Sequence, residues 1–419
     1  MRRHIRLLLT LALLTAVTHR TVARSLDVDR LLDYCTSQIQ RSLSQLRDDN
    51  GHIDFTQAPR NIGPDEHRWN LRSIKTPEEW TAGFWPGILW MGSQYAPQSE
   101  HSAIRQAAVG YTAELRYLAY SPVYDHDLGF IMIGSYLKGL EAMQTSGQLP
   151  DATCDDYRHV LLAAADTLAT LYNPRVGTLL SWPRNVAMFG GHNTIMDNMI
   201  NLELLFWASQ HNPDHAAARR LYDIAVSHAD TTMRYHFRPD HSINHVAVYD
   251  PISGRHLRNC NHQGLNDSSL WSRGQSWAIY GYTMMYRYTH ETRYLDFAQQ
   301  VTDVMLAQLP ADGIPYWDMR DPLIPHAYRD ASAAAIIADA LIELSDYVPA
   351  PKARRYTKQA LRMLRTLSSA PYLSGDDAPS FLRHSVGNMP AHSEIDYSIS
   401  YADYYYLEAL LRLKAKTAP

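Results

Sequence analysis

Helical periodicity dominates this 419-residue chain. Apolar residues recur at positions i, i+3 and i+4 in one segment after another, which is the pattern of amphipathic helices. The alternation of apolar residues in residues 242–250 predicts the main exception, a short strand or hairpin arm. An all-α protein is therefore expected, with helices near residues 27–48, 77–95, 101–119, 126–143, 155–172, 193–210, 214–236, 270–289, 291–308, 329–346, 351–369 and 396–414.

The predicted helices alternate between two kinds. One kind carries charged side chains on a single outer face and should lie at the surface. The other carries small and aromatic residues on more than one face and should be buried. Six hairpins of one inner and one outer helix would close into a ring, so the pattern predicts an (α/α)6 barrel. An open helical solenoid is the alternative, but the chain has no regular short repeat of the kind that signals one. The buried kind begins near residues 77, 126, 193, 270, 329 and 396.

Each predicted inner helix begins in or just after a motif of polar and aromatic residues. Because the inner helices of such a ring run in the same direction, these motifs should meet at one mouth and share a pocket. Helix N-termini present free backbone N–H groups and a partial positive charge, which suits a carboxylate ligand. The motifs are residues 79–85, 126–130, 192–197, 271–277, 329–332 and 392–397.

Two of these motifs place an acid at the start of an apolar helix. Asp197 stands among Asn193, Asn198 and Asn201, and Asp127 opens a second helix in the same way. Partial desolvation of such a carboxyl raises its pKa towards the range useful for proton transfer. The structural alternative is an aspartate that caps the helix or complements its dipole.

The first 23 residues resemble a secretory signal peptide. Arg2, Arg3 and Arg6 precede an uncharged apolar segment, residues 7–17, and small residues at 21–23 suit cleavage. The apolar segment is shorter than the roughly 20 residues that span a bilayer. We therefore expect a periplasmic or secreted protein without a membrane span. The length of residues 24–419 fits one large domain or two ordinary ones, and the predicted ring favours a single (α/α)6-barrel domain.

Composition narrows the possible ligands. A formal net charge of −4 leaves no basic stripe for nucleic acid. Cys35, Cys154 and Cys260 lie far apart, so neither a zinc ribbon nor a disulfide framework is indicated. No HExxH motif occurs, and neither a metal nor a cofactor is expected. Nine Trp, 27 Tyr and 20 His suit the stacking and hydrogen bonding of sugars, although large helical cores use aromatic residues as well.

Five motifs in order resemble the unsaturated glucuronyl hydrolases of glycoside hydrolase family 88. The resemblance covers nearly all of the chain after the signal segment. It implies an (α/α)6 barrel that removes a 4,5-unsaturated uronic acid from the non-reducing end of oligosaccharides left by polysaccharide lyases. The motifs are Trp-Thr-Ala-Gly-Phe-Trp at 80–85, His-Asp-Leu-Gly-Phe at 126–130, Asp-Asn-Met-Ile-Asn at 197–201, Ser-Arg-Gly-Gln-Ser-Trp at 272–277 and Arg-Asp-Ala-Ser-Ala-Ala at 329–334.

The resemblance also implies residue roles. Glycosidases of the usual kind attack the anomeric carbon, whereas this family is thought to hydrate the vinyl ether of the unsaturated ring. Asp197 matches the acid/base position, with a raised pKa, and Asp127 matches the second essential aspartate. The residues that match substrate contacts are Arg273, Trp277, Gln263, His245, His126, Trp182, Trp80 and Trp85.

Three alternatives remain open at this stage. An unsaturated rhamnogalacturonyl hydrolase would use the same barrel and chemistry on pectin fragments. A polysaccharide lyase would need a base and a group that neutralises the uronate, roles open to His192, Asn193 and Arg273. A non-catalytic sugar-binding protein would leave the acids of the pocket without a purpose.

Overall fold

The computed structural model describes residues 26–146 and 151–417, so the predicted signal segment, residues 1–23, lies outside the described residues. The described ranges contain fourteen α-helices: α1 Val28–Leu46, α2 Phe84–Ser93, α3 Gln98–Glu114, α4 Leu128–Met132, α5 Lys138–Ser146, α6 Asp151–Ala169, α7 Val186–Phe189, α8 Asn198–His211, α9 His215–Tyr235, α10 Ser272–Thr289, α11 Thr292–Gln308, α12 Ala331–Leu344, α13 Ala350–Leu367 and α14 Ser400–Thr417. A π-helical turn, Ile133–Leu137, joins α4 to α5.

Six inner elements form a closed ring. The helix made of α4, the π-helical turn and α5 packs against α2 and α8, and α10, α12 and α14 follow in order until α14 returns to α2. An outer helix packs behind each of them, namely α3, α6, α9, α11, α13 and α1. The predicted (α/α)6 barrel is confirmed. Its sixth pair joins α1 to α14, so the two ends of the chain close the ring.

Side-chain size accounts for the two layers. Every residue of α12 is buried, and the run Ala333–Ala335 lets its neighbours approach closely. The outer helix α13 buries only one face, formed by Tyr356, Ala360, Met363, Leu364 and Leu367. The contrast in side-chain pattern along the sequence is therefore a contrast in burial.

The sequence pattern missed most of the β structure. Nine short strands are described, β1 Gln57–Ile62, β2 Asn70–Ser73, β3 Tyr172–Asn173, β4 Thr178–Leu179, β5 His192–Ile195, β6 Val246–Tyr249, β7 His256–Cys260, β8 Ser385–Asn388 and β9 Ser393–Ile399. They form three antiparallel sheets in the orders β2-β1-β9-β8, β3-β4 and β5-β6-β7. The predicted strand within residues 242–250 is confirmed as β6.

Two strands occupy positions predicted to be helical. Residues 192–195 pair with β6, from His192 opposite Tyr249 to Ile195 opposite Val246, so the helix expected from residue 193 begins at Asn198. The helix expected from residue 396 likewise begins at Ser400, after β9. Tertiary pairing with a partner distant in sequence overrides the local helical period here.

Two further features bear on earlier expectations. Cys35, Cys154 and Cys260 are free thiols. Within residues 26–146 and 151–417, no helix is long and apolar enough to cross a membrane.

Candidate active site

The N-termini of the inner helices meet at one end of the barrel, called the mouth below. Asp127 is the N-cap of α4 and Asp197 the N-cap of α8, and they are 8% and 7% exposed. Neither side chain makes a capping hydrogen bond. Asp330, which caps α12, does accept one from Ser332 N at 3.0 Å. The capping explanation therefore fails for Asp127 and Asp197.

Each of these two carboxyls faces an imidazole. His245 Nε2 lies 3.6 Å from Asp197 Oδ2, and His126 Nε2 lies 3.5 Å from Asp127 Oδ1. Both distances exceed an ordinary hydrogen bond. The other ring nitrogen of His245, Nδ1, accepts a hydrogen bond from Gln263 N at 3.1 Å, which holds the ring in place. Both imidazoles are buried, so the four side chains form a compact titratable group at the mouth.

The pKa values of the two carboxyls differ in direction. Burial, followed by the charges of Asp125 and Asp197, raises the pKa of Asp127 well above its ordinary value. Burial also raises the pKa of Asp197, but the opposing effects of His245, His126 and Arg273 leave it lowered. The prediction of a raised pKa at Asp197 is therefore wrong for the unliganded protein. Repulsion from Asp197 contributes to the raised pKa of Asp127, after burial and the charge of Asp125.

An ion pair between Arg184 and Asp125 lies next to these carboxyls at the mouth. Arg184 Nη1 lies 2.6 Å from Asp125 Oδ2, and its guanidinium sits 4.7 Å from the ring centroid of Tyr124. Asp125 Oδ1 also accepts a hydrogen bond from Asp127 N at 2.9 Å. No role was predicted for Asp125 or Arg184, although both lie close in sequence to predicted site residues.

Among the described residues, no three His, Cys, Asp or Glu side chains are arranged to hold a metal ion. The carboxyl and imidazole groups at the mouth can transfer protons and form hydrogen bonds.

Two of the four predicted tryptophans lie at the mouth. The Trp182 ring makes edge contacts with His126 and His245, with centroids 6.2 Å apart in both cases. Trp80 is half-buried, and its ring centroid lies 5.1 Å from that of Tyr401. These rings can form apolar walls for a sugar.

The other two tryptophans belong to the core. Trp277 is fully buried beneath the mouth, 5.3 Å from both Phe130 and Tyr405. Trp85 packs against Trp69 and Tyr111, at 6.3 and 6.4 Å, towards the outer layer of the barrel. The prediction that Trp85 lines the pocket is wrong, because its position on α2 directs it away from the mouth.

Arg273 was predicted to contact substrate, but its partners in the structure lie within the protein. Its guanidinium is buried, donating to the carbonyl oxygens of Val386 and Gly387 in β8 and to Asp330 Oδ2 at 3.2 Å. It also lies 4.6 Å from the ring centroid of Trp271. The guanidinium predicted to contact substrate is therefore paired within the protein. Arg273 joins α10 to the hairpin of β8 and β9.

A further charged cluster at the mouth escaped the sequence reasoning. Arg60, in β1, lies 2.6 Å from Glu79 Oε1 and 2.7 Å from Glu394 Oε1. Its guanidinium also lies 5.6 Å from the ring centroid of Trp80. Glu79 and Glu394 both belong to selected motifs, but Arg60 does not, and it is 334 residues from Glu394. No local pattern could have predicted that they meet.

This arrangement defines a class of protein. A helical barrel whose mouth holds two buried carboxyls that make no capping hydrogen bond, two buried imidazoles and tryptophan rings suits a carbohydrate-cleaving enzyme. No family model matches the chain.

Comparison with known proteins narrows the class. The chain is 42% identical over 339 residues to an unsaturated glucuronyl hydrolase of Formosa agariphila, covering 80% of each protein. It is 29% identical over 397 residues to an unsaturated chondroitin disaccharide hydrolase of Streptococcus pyogenes, covering 92% of this chain and 91% of the relative. A crystal structure of an unsaturated glucuronyl hydrolase specific for heparin superposes with a TM-score of 0.81 at 34% identity, covering 93% of this chain and 98% of the other. The chain belongs to the unsaturated glucuronyl hydrolase family.

Proposed function

We propose that this enzyme removes a 4,5-unsaturated uronic acid from the non-reducing end of oligosaccharides that lyases release from glycosaminoglycans. The observation that carries the proposal is the pair of buried carboxyls, Asp127 and Asp197, which face imidazoles instead of capping their helices. The names of the relatives, which include glucuronyl and chondroitin disaccharide hydrolases, support this substrate class.

The proposed reaction is hydration of the C4=C5 vinyl ether. A proton adds to C4, and water gives its oxygen to C5 and its proton to a base. The resulting hemiketal opens to a ketone at C5. The hemiacetal left at C1 then collapses to an aldehyde and releases the next sugar as an alcohol. One acid and one base are needed, and no proton is consumed overall.

Asp197 is the proposed acid/base, and Asp127 is its proton-sharing partner. The directions of the two pKa shifts favour a proton on Asp127 and a charge on Asp197. A bound uronate adds a negative charge and displaces water, and both changes favour protonation of a nearby carboxyl. Substrate binding would therefore move the proton towards Asp197 before it is given to C4.

The test uses purified enzyme and a panel of lyase-generated unsaturated disaccharides. The C4=C5 double bond absorbs ultraviolet light, so a hydrolase of this kind makes the absorbance fall and releases the second sugar. The proposal predicts this fall with at least one glycosaminoglycan disaccharide. A rise in absorbance with an intact polysaccharide would instead identify a lyase. Consumption of an unsaturated pectin fragment alone would favour the rhamnogalacturonyl alternative.

We also propose that the enzyme is exported and acts in the periplasm or outside the cell. The proposal rests on the basic start, the uncharged segment at 7–17 and the small residues at 21–23. Residues 24–419 would then be the mature catalytic domain. N-terminal sequencing of the protein recovered from the periplasm or medium tests this. A mature protein that retains residues 1–23 would contradict it.

A further inference from the structure

The imidazole of His126 has a different neighbour on each side. Its Nδ1 lies 3.0 Å from Asn201 Nδ2, and its Nε2 lies 3.5 Å from Asp127 Oδ1. Among the described residues, Nε2 has no hydrogen-bond partner. Asp197, Arg184 and His245 are the other charged or titratable groups that act on this ring. The nitrogen that carries the proton therefore decides whether the carboxyls face an N–H donor or a nitrogen lone pair.

The orientation of the Asn201 amide is fixed by the backbone. Phe130 N lies 2.6 Å from Asn201 Oδ1. A backbone N–H can only donate, so the atom facing it must be the amide oxygen. The amide nitrogen then faces His126, and it too can only donate. Rotation of the amide by half a turn would set two donors against each other.

Close packing of α4 against α8 reinforces this orientation. A Cβ built on Gly129 would lie 2.4 Å from Asn201 Oδ1, so only glycine fits at this crossing. Asn201 and His126 are both fully buried. Close packing around them leaves the amide no room to shift. The amide is thus clamped between the two helices.

The donor on Asn201 sets the state of the ring. Nδ1 of His126 must accept, so it carries no proton. Burial lowers the pKa of His126 to about 3, which keeps the ring neutral near pH 7. A neutral imidazole has one N–H, and here it must be on Nε2. That N–H points towards Asp127. The other tautomer would place a nitrogen lone pair against the carboxyl.

We propose that Asn201 is a positioning residue that holds His126 as the Nε2–H tautomer and so directs a hydrogen-bond donor at the catalytic carboxyls. The role in catalysis rests on the proposed function; the tautomer does not. In this state His126 can donate to Asp127, to Asp197 or to a substrate oxygen as the proton moves between them. Asn201 acts only through His126.

The tautomer can be measured directly in the full-length enzyme. Histidine labelled with ¹⁵N distinguishes protonated from unprotonated ring nitrogens by chemical shift, and loss of a signal in His126→Gln assigns it. The expected result near pH 7 is a protonated Nε2 and an unprotonated Nδ1. A protonated Nδ1 in the parent enzyme would overturn the proposal. This measurement needs no turnover, so it stands even if no disaccharide proves to be a substrate.

Asn201→Asp reverses the contact with almost no change in shape. One carboxylate oxygen still accepts from Phe130 N, but the other now accepts from His126, which must place a proton on Nδ1. We expect the ¹⁵N spectrum to show that change. We also expect kcat to fall about 10- to 100-fold, less than for loss of the acid itself, with KM nearly constant. A changed tautomer with parental kcat would remove Asn201 from the reaction.

Asn198→Asp is the matched control for added charge. Asn198 is one turn away in α8. Its Nδ2 donates to Leu179 O at 3.3 Å and to Ser181 Oγ at 3.1 Å, and its side chain also acts on His126 as an acceptor that raises the pKa of the ring. A new carboxylate at position 198 should leave His126 as the Nε2–H tautomer. If this variant altered the tautomer as much as Asn201→Asp does, general electrostatics would explain the effect and the specific role of Asn201 would be refuted.

Discussion

Two groups of buried carboxyls in the inner barrel have opposite surroundings. At the mouth, Asp127 and Asp197 face only imidazoles within ion-pair distance. Towards the carboxyl ends of the same helices, called the far end below, each acid meets a permanent cation. The far-end pairs are Glu203 with Arg287 at 2.7 Å, Glu343 with Arg412 at 2.8 Å, Asp339 with Arg412 at 2.8 Å, and Glu408 with Lys138 at 2.8 Å.

The difference shows that burial alone does not make a carboxyl catalytic. Burial raises the pKa of Glu408, but the charges of Lys138 and Arg412 outweigh it and hold this carboxyl ionised. Asp127 has negative neighbours instead, and its pKa rises. A carboxyl locked in an ion pair cannot exchange a proton near neutral pH. Among the far-end carboxyls, cations lower the pKa of Glu408 and Glu343, whereas burial leaves the pKa of Glu203 and Asp339 raised. Asp127 differs in that its pKa is raised at the mouth, where among the described residues no Arg or Lys lies within ion-pair distance of it.

The largest expected effect is at Asp197. Asp197→Asn keeps the size of the side chain but removes the exchangeable proton, so consumption of unsaturated disaccharide should fall by about 10²–10⁴-fold, with the circular dichroism spectrum unchanged. The far-end control is Glu203→Gln on the same helix, which should retain the parental kcat at a temperature where the protein is folded. A loss below about tenfold for Asp197→Asn would exclude it as the acid/base.

A far-end cation should matter for stability instead. Arg412→Met leaves Asp339 without a cation and Glu343 with Arg287 alone, at 3.4 Å. It should lower the free energy of unfolding by about 3–5 kcal/mol, measured in urea. Below its unfolding transition, the variant should keep kcat within about twofold.

A triple variant with apolar side chains tests the same ion pairs in a second way. Replacing Arg412 together with Asp339 and Glu343 by Met, Leu and Met removes the unpaired charges and should recover much of the lost stability. Arg412→Met with parental stability would show that the far-end network does not hold the ring together.

The pH dependence of activity tests the charge arrangement at the mouth. Because Asp127 must supply a proton, activity should fall as pH rises through its raised pKa. Asp125→Asn removes a negative neighbour and frees the positive charge of Arg184, and both changes lower the pKa of Asp127. The alkaline limb of kcat against pH should then move to lower pH, by on the order of one unit. A limb that stayed in place or moved upwards would contradict this account.

Local sequence predicted the barrel and the two acids, because both depend on short-range patterns. The alternation of buried and amphipathic helices is visible within about 20 residues, and Asp127 and Asp197 each precede an apolar run. The direction of each pKa shift was not predictable. It depends on His245 and on the approach of Asp125, whose positions follow from the loop and sheet that the helical pattern did not reveal.

Arg273 shows why residue roles were harder to predict than residue positions. Its motif correctly placed it at the start of an inner helix. Its partners, the carbonyl oxygens of Val386 and Gly387, are 113 and 114 residues away and belong to a strand that was not predicted. A motif predicts the position of a side chain along its helix. Contacts with residues distant in sequence decide whether the charge of that side chain is paired.

The smallest expected effect is at Gln263, which was predicted to contact substrate. In the structure its backbone N donates to His245 Nδ1. Gln263→Ala keeps that N–H, so KM and kcat for the disaccharide should each change by less than about threefold, below the 1 kcal/mol typical of a lost hydrogen bond. His245→Phe keeps a ring but removes both nitrogens and should lower kcat far more. If Gln263→Ala instead raised KM tenfold, the side chain would bind substrate directly, and the backbone contact would be only part of its role.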